Sequence, residues 1–207
     1  MSQLSRLGIR LHYVFVNADI TQPRDEAAPA VPPGYHARAV GLDEMLCFVD
    51  RVPDLSREFL ERAFGHGDEC VANFFEGELV GFGFVSRART RVTAELEALI
   101  PDGFRYSYKA WTHPDHRRRN LSRLRSHVRL NTVARPYNER GISYIETHNY
   151  PSLLRGYRRP TLRRIPMGIT GWFTLFGRQI PFNSRRAKWI GFEFVRRDDV
   201  RVRQYPR

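Results

Sequence analysis

The stretch from residue 70 to 85, CVANFFEGELVGFGFV, constrains the fold more than any other part of the chain. Two apolar, β-rich runs flank Glu76-Gly77-Glu78, and a glycine between two such runs is the mark of a hairpin turn. Strands are therefore expected over 69–75 and 79–88. A further strand is expected over 104–112, where Phe104, Tyr106, Tyr108 and Ala110 alternate with Arg105, Ser107, Lys109 and Trp111.

Around this centre the pattern switches between periods of two and of 3.6. Residues 7–16 carry Ile9, Leu11, Tyr13 and Phe15 and read as a strand, followed by a loop over 21–34 with four prolines. Residues 35–40 form a short strand. Leu42, Met45, Leu46 and Val49 then recur at helical spacing, with Asp43 and Glu44 where the helix dipole favours negative charge. Pro53-Asp54 opens a second helix that Gly65-His66-Gly67 closes. A third helix is expected over 118–134, a strand over 141–147, a short helix over 151–155, and strands over 165–175 and 187–195. Phe176-Gly177 is read as a turn and 181–184 as a loop, and residues 94–101 carry no clear pattern. The expected fold is a mixed α/β sheet with helices on both faces. One domain is expected over 1–207: an N-terminal strand and Pro-rich loop (1–34), a core (35–196) and a basic tail (197–207).

The chain has 207 residues, of which 42% are hydrophobic, enough for one sizeable core. No apolar run reaches the roughly 20 residues that cross a bilayer. The first residues lack a signal-peptide pattern, so a cytoplasmic location is expected. The two cysteines, Cys47 and Cys70, are too far apart for a metal or redox pair and read as buried free thiols; no metal is expected. The net charge of +12 favours an anionic partner: a nucleic acid, an acidic membrane surface, an acidic carrier protein or a phosphorylated cofactor.

The chemistry-bearing segment runs from Trp111 to Ser122 (WTHPDHRRRNLS). A strand ends at Pro114, and a basic turn opens a helix. Proline ends the ladder because it has no N–H. The helix start then presents unpaired N–H groups and a positive dipole end, with Arg117, Arg118 and Arg119 beside them. Such a place binds an anion, and a diphosphate suits it best.

This segment resembles the cofactor loop of the GNAT superfamily of acyl-CoA-dependent N-acyltransferases, whose pattern Pro-x-x-Arg-x-x-Gly-x-Gly/Ala follows a strand. Pro114, Arg117, Asn120 and Ser122 stand at its positions. Asn120 replaces a glycine, and asparagine tolerates the left-handed backbone region well. The resemblance continues in Tyr35-His36-Ala37-Arg38 with Asp43-Glu44, in the hairpin with Gly77 and Val80-Gly81, and in residues 147–152. It covers residues 35–175 in order. It implies a cleft between the family's fourth and fifth strands, with Ala110, Trp111 and Thr112 lining the pantetheine. The N–H groups of Arg117, Arg118, Arg119, Asn120, Leu121 and Ser122 would hold the pyrophosphate, and Asn149 would face the cofactor from the other side. The implied donor is acetyl-CoA or another acyl-CoA, and the implied reaction is direct transfer to an amine.

That reaction needs a proton taken from the amine and one given to the thiolate. The resemblance implies Tyr157 as the acid. Glu146 is a candidate base, because a carboxylate in a partly dry cleft can be tuned toward neutrality. His113 and His148 flank the implied cleft, and Tyr106 and Tyr108 are expected on its acceptor side. Three other readings stand beside this one: a donor carried on an acidic acyl carrier protein or bearing a long chain, a GNAT-like protein without catalysis, and a nucleic-acid-binding protein using the arginines and aromatics of 150–172. The acceptor amine is not legible, and the late strands offer a surface for a homodimer.

Overall fold

The structure is a computed structural model, and it describes residues 10–19, 28–53, 55–132, 139–147, 149 and 164–198. The chain divides into two compact units: a first of Met1–Thr21, Ala88–Phe104 and Arg140–Arg207, and a second of Gln22–Arg87 and Arg105–Glu139. The fold class is the expected α/β. Among the described residues no helix is long and apolar enough to cross a membrane.

In the second unit, β2 (Tyr35–Val40), β3 (Glu69–Phe75), β4 (Glu78–Ser86) and β7 (Phe104–Thr112) lie in the order β7-β4-β3-β2, all antiparallel. The hairpin expected at Gly77 is there. Glu76 and Gly77 have φ of 52° and 88°, and Phe75 pairs with Glu78, so a two-residue turn with both φ positive joins β3 to β4. That turn twists in the same sense as the strands it joins.

Helices cover both faces of this sheet. On one face lie α1 (Leu42–Leu46) and α2 (Arg57–Gly65), whose Met45, Leu60 and Ala63 meet Cys70, Ala72, Phe74, Phe82 and Phe84 in one buried cluster. Burying side chains of the size of Phe82 and Phe84 contributes roughly 2–3 kcal/mol each, so this cluster is the main adhesive of the unit. α2 starts at Arg57 rather than at Pro53, because Ser56 caps it by accepting from the Phe59 N–H. On the other face lies α3 (Leu121–Thr132), shorter than the expected 118–134, with Leu121 packed among Tyr35 and Val80.

Two bulges shape the sheet. Asn73 pairs with Gly81 and Phe74 with Leu79, which leaves Val80 as an extra residue on β4. Its carbonyl accepts instead from the His113 N–H at 2.9 Å. On β7, Lys109 and Ala110 stand opposite the single residue Gly83, with Lys109 at φ 47°. This overturns the uniform alternation expected for 104–112. The extra residue flips the phase, so Tyr108 and Trp111 both pack on the α1–α2 face.

In the first unit, β1 (Arg10–Asp19) pairs with β8 (Arg140–Glu146) and β9 (Arg164–Leu175), and β9 also pairs with β10 (Arg178–Asn183), again antiparallel. β5 (Thr90–Arg91), β6 (Leu96–Leu99) and β11 (Glu193–Arg196) form a three-stranded sheet, which accounts for half of the unassigned 94–101. Val14, Val16, Ile142, Leu96, Phe192 and Phe194 are buried here.

Two expectations for this unit fail. Residues 181–183 are not a loop but the end of β10, where Pro181 is tolerated because β10 is an edge strand. Residues 187–195 are not one strand. Ser184 caps a short helix α4 (Arg185–Ile190), Gly191 at φ 82° ends it, and β11 follows. The apolar look of Trp189-Ile190 hid a cap and a stop that were both in the sequence. The cysteines also differ from expectation: Cys70 is buried, but Cys47 is exposed. The short helix expected over 151–155 lies outside the described residues.

Candidate functional site

The end of β7 and the start of α3 form the candidate site, wholly within the second unit. After Thr112 the chain makes a single 3-10 turn, Pro114–His116, capped by His113, whose Nδ1 accepts from the Asp115 N–H at 3.3 Å. Tyr35 and His116 share a hydrogen bond of 2.8 Å beneath this turn, and both rings pack on Phe75.

The turn leads into a loop with two left-handed residues, Arg118 at φ 63° and Asn120 at φ 59°. Asn120 thus adopts the conformation for which glycine is otherwise used. Its side chain also donates to the Ala30 carbonyl at 3.1 Å. Among the described residues, the N–H groups of Arg118, Arg119, Asn120 and Leu121 have no protein acceptor, while the Asn120 carbonyl already accepts from Arg123 and Leu124. Free donors therefore gather at the positive end of a three-turn helix. Arg117, Arg118 and Arg119 are exposed around them. Arg117 Nε reaches the Thr112 carbonyl at 3.3 Å, and Arg119 lies 5.5 Å from the Tyr35 ring centroid.

What fixes α3 over the sheet was not singled out in the sequence. Arg125 and Arg129 sit one helical turn apart and are both buried. Arg125 Nη1 donates to Asn73 Oδ1 at 2.5 Å and to Thr112 Oγ1 at 3.5 Å, and Arg129 Nη2 donates to the Gly83 carbonyl at 3.3 Å. They have room because Gly81 and Gly83 present no side chains to that face. Glycines two apart on a strand, with arginines four apart on the next helix, were the available signal.

Of the expected cofactor residues, Ala110 is exposed, Trp111 and Thr112 are half-buried, Leu121 is buried and Ser122 is half-buried. Trp111 stacks on Phe82 at 5.8 Å. Asn149 and Glu146 belong to the first unit. Asn149 is exposed, and its N–H donates to the Glu146 carbonyl at 3.0 Å. Glu146 Oε2 pairs with His12 Nε2 at 3.2 Å, and that imidazole stacks on Trp172 at 4.1 Å. Tyr157 and His148 lie outside the described residues. Tyr106 is buried and Tyr108 half-buried.

A second polar group in the same unit went unread. Tyr108 donates to Asp68 Oδ2, and His66 Nδ1 lies 3.1 Å from Asp68 Oδ1. Burial, and then the Asp68 carboxylate, push the Tyr108 hydroxyl well above the usual tyrosine range, which keeps it a proton donor. The first unit has a hollow of about 520 Å³ lined by Arg89, Glu95, Glu97 and Arg197, among others. Glu97 is paired there with both Arg89 and Arg197, so the hollow offers no unspent charge of that kind. Among the described residues no cluster of three or more His, Cys, Asp or Glu could hold a metal.

No protein-family model matches this chain, and no curated protein matches it in sequence. Solved structures do share its fold. A tandem GNAT protein from the clavulanic acid biosynthesis pathway, solved without acetyl-CoA, is 17% identical with a TM-score of 0.56, over 82% of this chain and 55% of its own. A Drosophila protein is 15% identical with a TM-score of 0.54, over 84% of this chain and 55% of its own. The chain thus spans about half the length of these two structures. At such identities the likeness is one of fold alone: the chain shares the fold of these structures, one of which is a GNAT protein.

Proposed function

We propose that the chain is an N-acyltransferase that takes an acyl group, in the first place acetyl, from coenzyme A and transfers it to an amine. The observation that carries this reading is the row of N–H groups from Arg118 to Leu121 with no acceptor among the described residues, at a helix start ringed by three exposed arginines. A diphosphate satisfies such donors and is favoured by the dipole. Placed there, the donor runs its pantetheine arm back along Ala110, Trp111 and Thr112. The acetyl group then lies toward the bulge at Lys109.

In this reading the amine attacks the thioester carbonyl, the C–S bond breaks, and the thiolate leaves. Tyr157 is assigned to protonate it, and Asn149 to contact the donor. Glu146 and His113 are the sequence candidates for the amine's proton. His113 already caps the turn at Asp115, which supports a positioning role for it. An acidic acyl carrier protein delivers the same thioester without the diphosphate, so the free N–H groups favour coenzyme A. A cytoplasmic location goes with the reading.

The test is a thermal shift with acetyl-CoA and with CoA. A ligand that binds only the folded state at 100 times its Kd adds about 2.7 kcal/mol. For a chain of this size that is a rise of roughly 5–10 °C. No shift with either ligand defeats the proposal.

A further inference from the structure

We infer that Tyr108 receives the proton of the attacking amine while passing its own to Asp68, and that Asp68 and His66 hold the tyrosine in position. This rests on the acyltransferase reading above. It adds a catalytic residue and two positioning residues that the family resemblance does not supply.

The three groups converge from separate elements. Tyr108 lies on β7 three residues before Trp111, roughly 10 Å along the strand. The β7 bulge puts Tyr108 on the same face as Trp111, and the acyltransferase reading lays the acyl end of the donor beside that stretch of β7. Asp68 sits between α2 and β3, with its side chain only 4% exposed. His66 is the C-terminal cap residue of α2, and its side chain is 39% exposed. A half-buried tyrosine, a buried carboxylate and an open imidazole thus form one hydrogen-bonded chain. Both Asp68 oxygens are engaged, Oδ2 by Tyr108 and Oδ1 by His66.

The surroundings fix the ring and leave the hydroxyl as its polar end. Tyr108 stacks on Tyr106 at 5.5 Å and meets Phe84 at 5.9 Å and Phe59 at 6.2 Å. The charged or titratable groups facing it include Arg62 from α2, Cys70 from β3, Tyr106 from β7 and Asp68 itself, with Lys109 Nζ held over the Phe59 ring. α2 packs on the same face through Leu60 and Ala63.

The step balances as follows. The nitrogen lone pair of a neutral primary amine forms the new C–N bond at the thioester carbon. The C–S bond breaks, and its electron pair leaves on the CoA sulfur. The proton shed by nitrogen passes to Tyr108 Oη as the tyrosine's own proton moves to Asp68 Oδ2. Asp68, a carboxylate at rest and held at Oδ1 by the His66 ring, keeps that proton until the amide product leaves, and the proton then returns through Tyr108 to water. The thiolate is protonated from solvent. A tyrosine whose hydroxyl stays protonated suits this exchange, because it donates and accepts in one motion and never rests as a phenolate.

The test has two arms on the full chain. In the first, the protein is labelled with ¹³Cζ-tyrosine, and the Tyr108 resonance is identified by its loss in Tyr108→Phe. Acetyl-CoA, once shown to bind by thermal shift, is expected to move that resonance and to move it less in Asp68→Asn. In the second, free thiol release from acetyl-CoA is followed with a panel of primary amines. Tyr108→Phe is expected to lower kcat about a hundredfold, the smaller end of what general acid–base catalysis contributes, with acetyl-CoA affinity within about twofold of the parent. His66→Gln is expected to lower kcat less. A donor that binds and leaves the Tyr108 resonance unmoved overturns the inference while sparing the acyltransferase reading. Full turnover in Tyr108→Phe, with turnover lost in Glu146→Gln, overturns it as well. Absence of any acetyl-CoA thermal shift defeats the reading beneath it.

Discussion

Asn120 ties its own loop to a segment ninety residues away: its side-chain amide donates to the Ala30 carbonyl at 3.1 Å while its backbone sits at φ 59°. One residue meets two demands. The left-handed conformation costs an ordinary L-residue roughly 1–2 kcal/mol. A hydrogen bond of this kind contributes about 1 kcal/mol net. Asn120→Ala loses both and is expected to destabilise the fold by about 2 kcal/mol in urea unfolding. Asn120→Gly loses the bond but relieves the backbone, and is expected within about 1 kcal/mol of the parent. Equal losses in the two variants would show that the Ala30 contact alone matters.

Glu139 is the buried hub of a second network. Its carboxylate meets Arg87 and also Arg105 Nη1 at 3.4 Å, and Arg87 reaches Glu69 at 2.6 Å. Burial pulls the Arg87 guanidinium down, but its bonds to Glu139 and Glu69 outweigh this and hold it above its usual value. Removing one partner of a buried pair leaves the other charge uncompensated, at a cost of about 3–5 kcal/mol. Glu139→Gln is therefore expected to lower stability by about 3 kcal/mol or more. Glu69→Gln, at a more open position, is expected to cost less than about 1 kcal/mol. Chemical denaturation of both variants checks the ranking.

The parts of this molecule that could be read in its sequence are those set by local chemistry. The hairpin at Gly77 follows from a turn that only residues tolerant of positive φ can make. The break at Pro114 and the helix behind it follow from the missing N–H. Asn120 could be read as a glycine substitute because few other residues accept that conformation. Register was hidden. The bulge at Lys109 adds one residue to β7 opposite Gly83, and nothing between Phe104 and Thr112 announces it, yet it decides that Trp111 shares a face with Tyr108. Pairs that meet through the fold were hidden for the same reason. Asp68 and Tyr108 stand forty residues apart, and Arg125 and Asn73 fifty-two, so no periodicity links them. α4 was hidden for a different reason: its six residues are too few for a helical period to stand out against the apolar pair Trp189-Ile190, although Ser184 and Gly191 mark its ends.

Gly81 and Gly83 make the floor on which Arg125 and Arg129 lie, and the two are not equivalent. A Cβ at Gly81 would stand 2.7 Å from Arg125 Nη1 and 3.1 Å from the Trp111 carbonyl oxygen. At Gly83 the nearest atom is Arg125 Nε at 3.5 Å, an ordinary contact. The arginine end cannot swing freely, because Asn73 and Thr112 hold it. Gly81→Ala is expected to cost roughly 1–3 kcal/mol, as overpacking does, and Gly83→Ala less than about 1 kcal/mol. Because Arg125 ties α3 to the end of β7, the proposed donor site predicts that Gly81→Ala also weakens acetyl-CoA binding in isothermal titration. A Gly81→Ala protein with full stability and unchanged binding would show that the arginine tie does not set the helix start.

Cys70 gives the fold a dependence on alkaline pH. Burial pushes its thiol from the usual 9.0 up to about 12, and a backbone hydrogen bond with Gly83 and the neighbouring Arg129 and Arg125 offset only part of this. Between those two values the unfolded chain has released the thiol proton and the folded chain still holds it. The folded state then binds more protons, so stability is fully present below pH 9 and falls as pH rises above it. The slope from one such group approaches about 1.4 kcal/mol per pH unit. Tyr108, whose hydroxyl is also pushed upward, adds a loss of the same sign that begins above its usual 10. Urea midpoints taken from pH 7 to pH 11 should stay level to about pH 8.5 and then decline. Cys70→Ala should be less stable at neutral pH and should decline less steeply between pH 9 and 10. The two thiols also differ in reach, Cys47 being exposed and Cys70 buried. Ellman's reagent should label one thiol per chain in the native protein and two after denaturation. Labelling of both thiols at the same rate in the native protein would contradict the burial on which the alkaline effect depends.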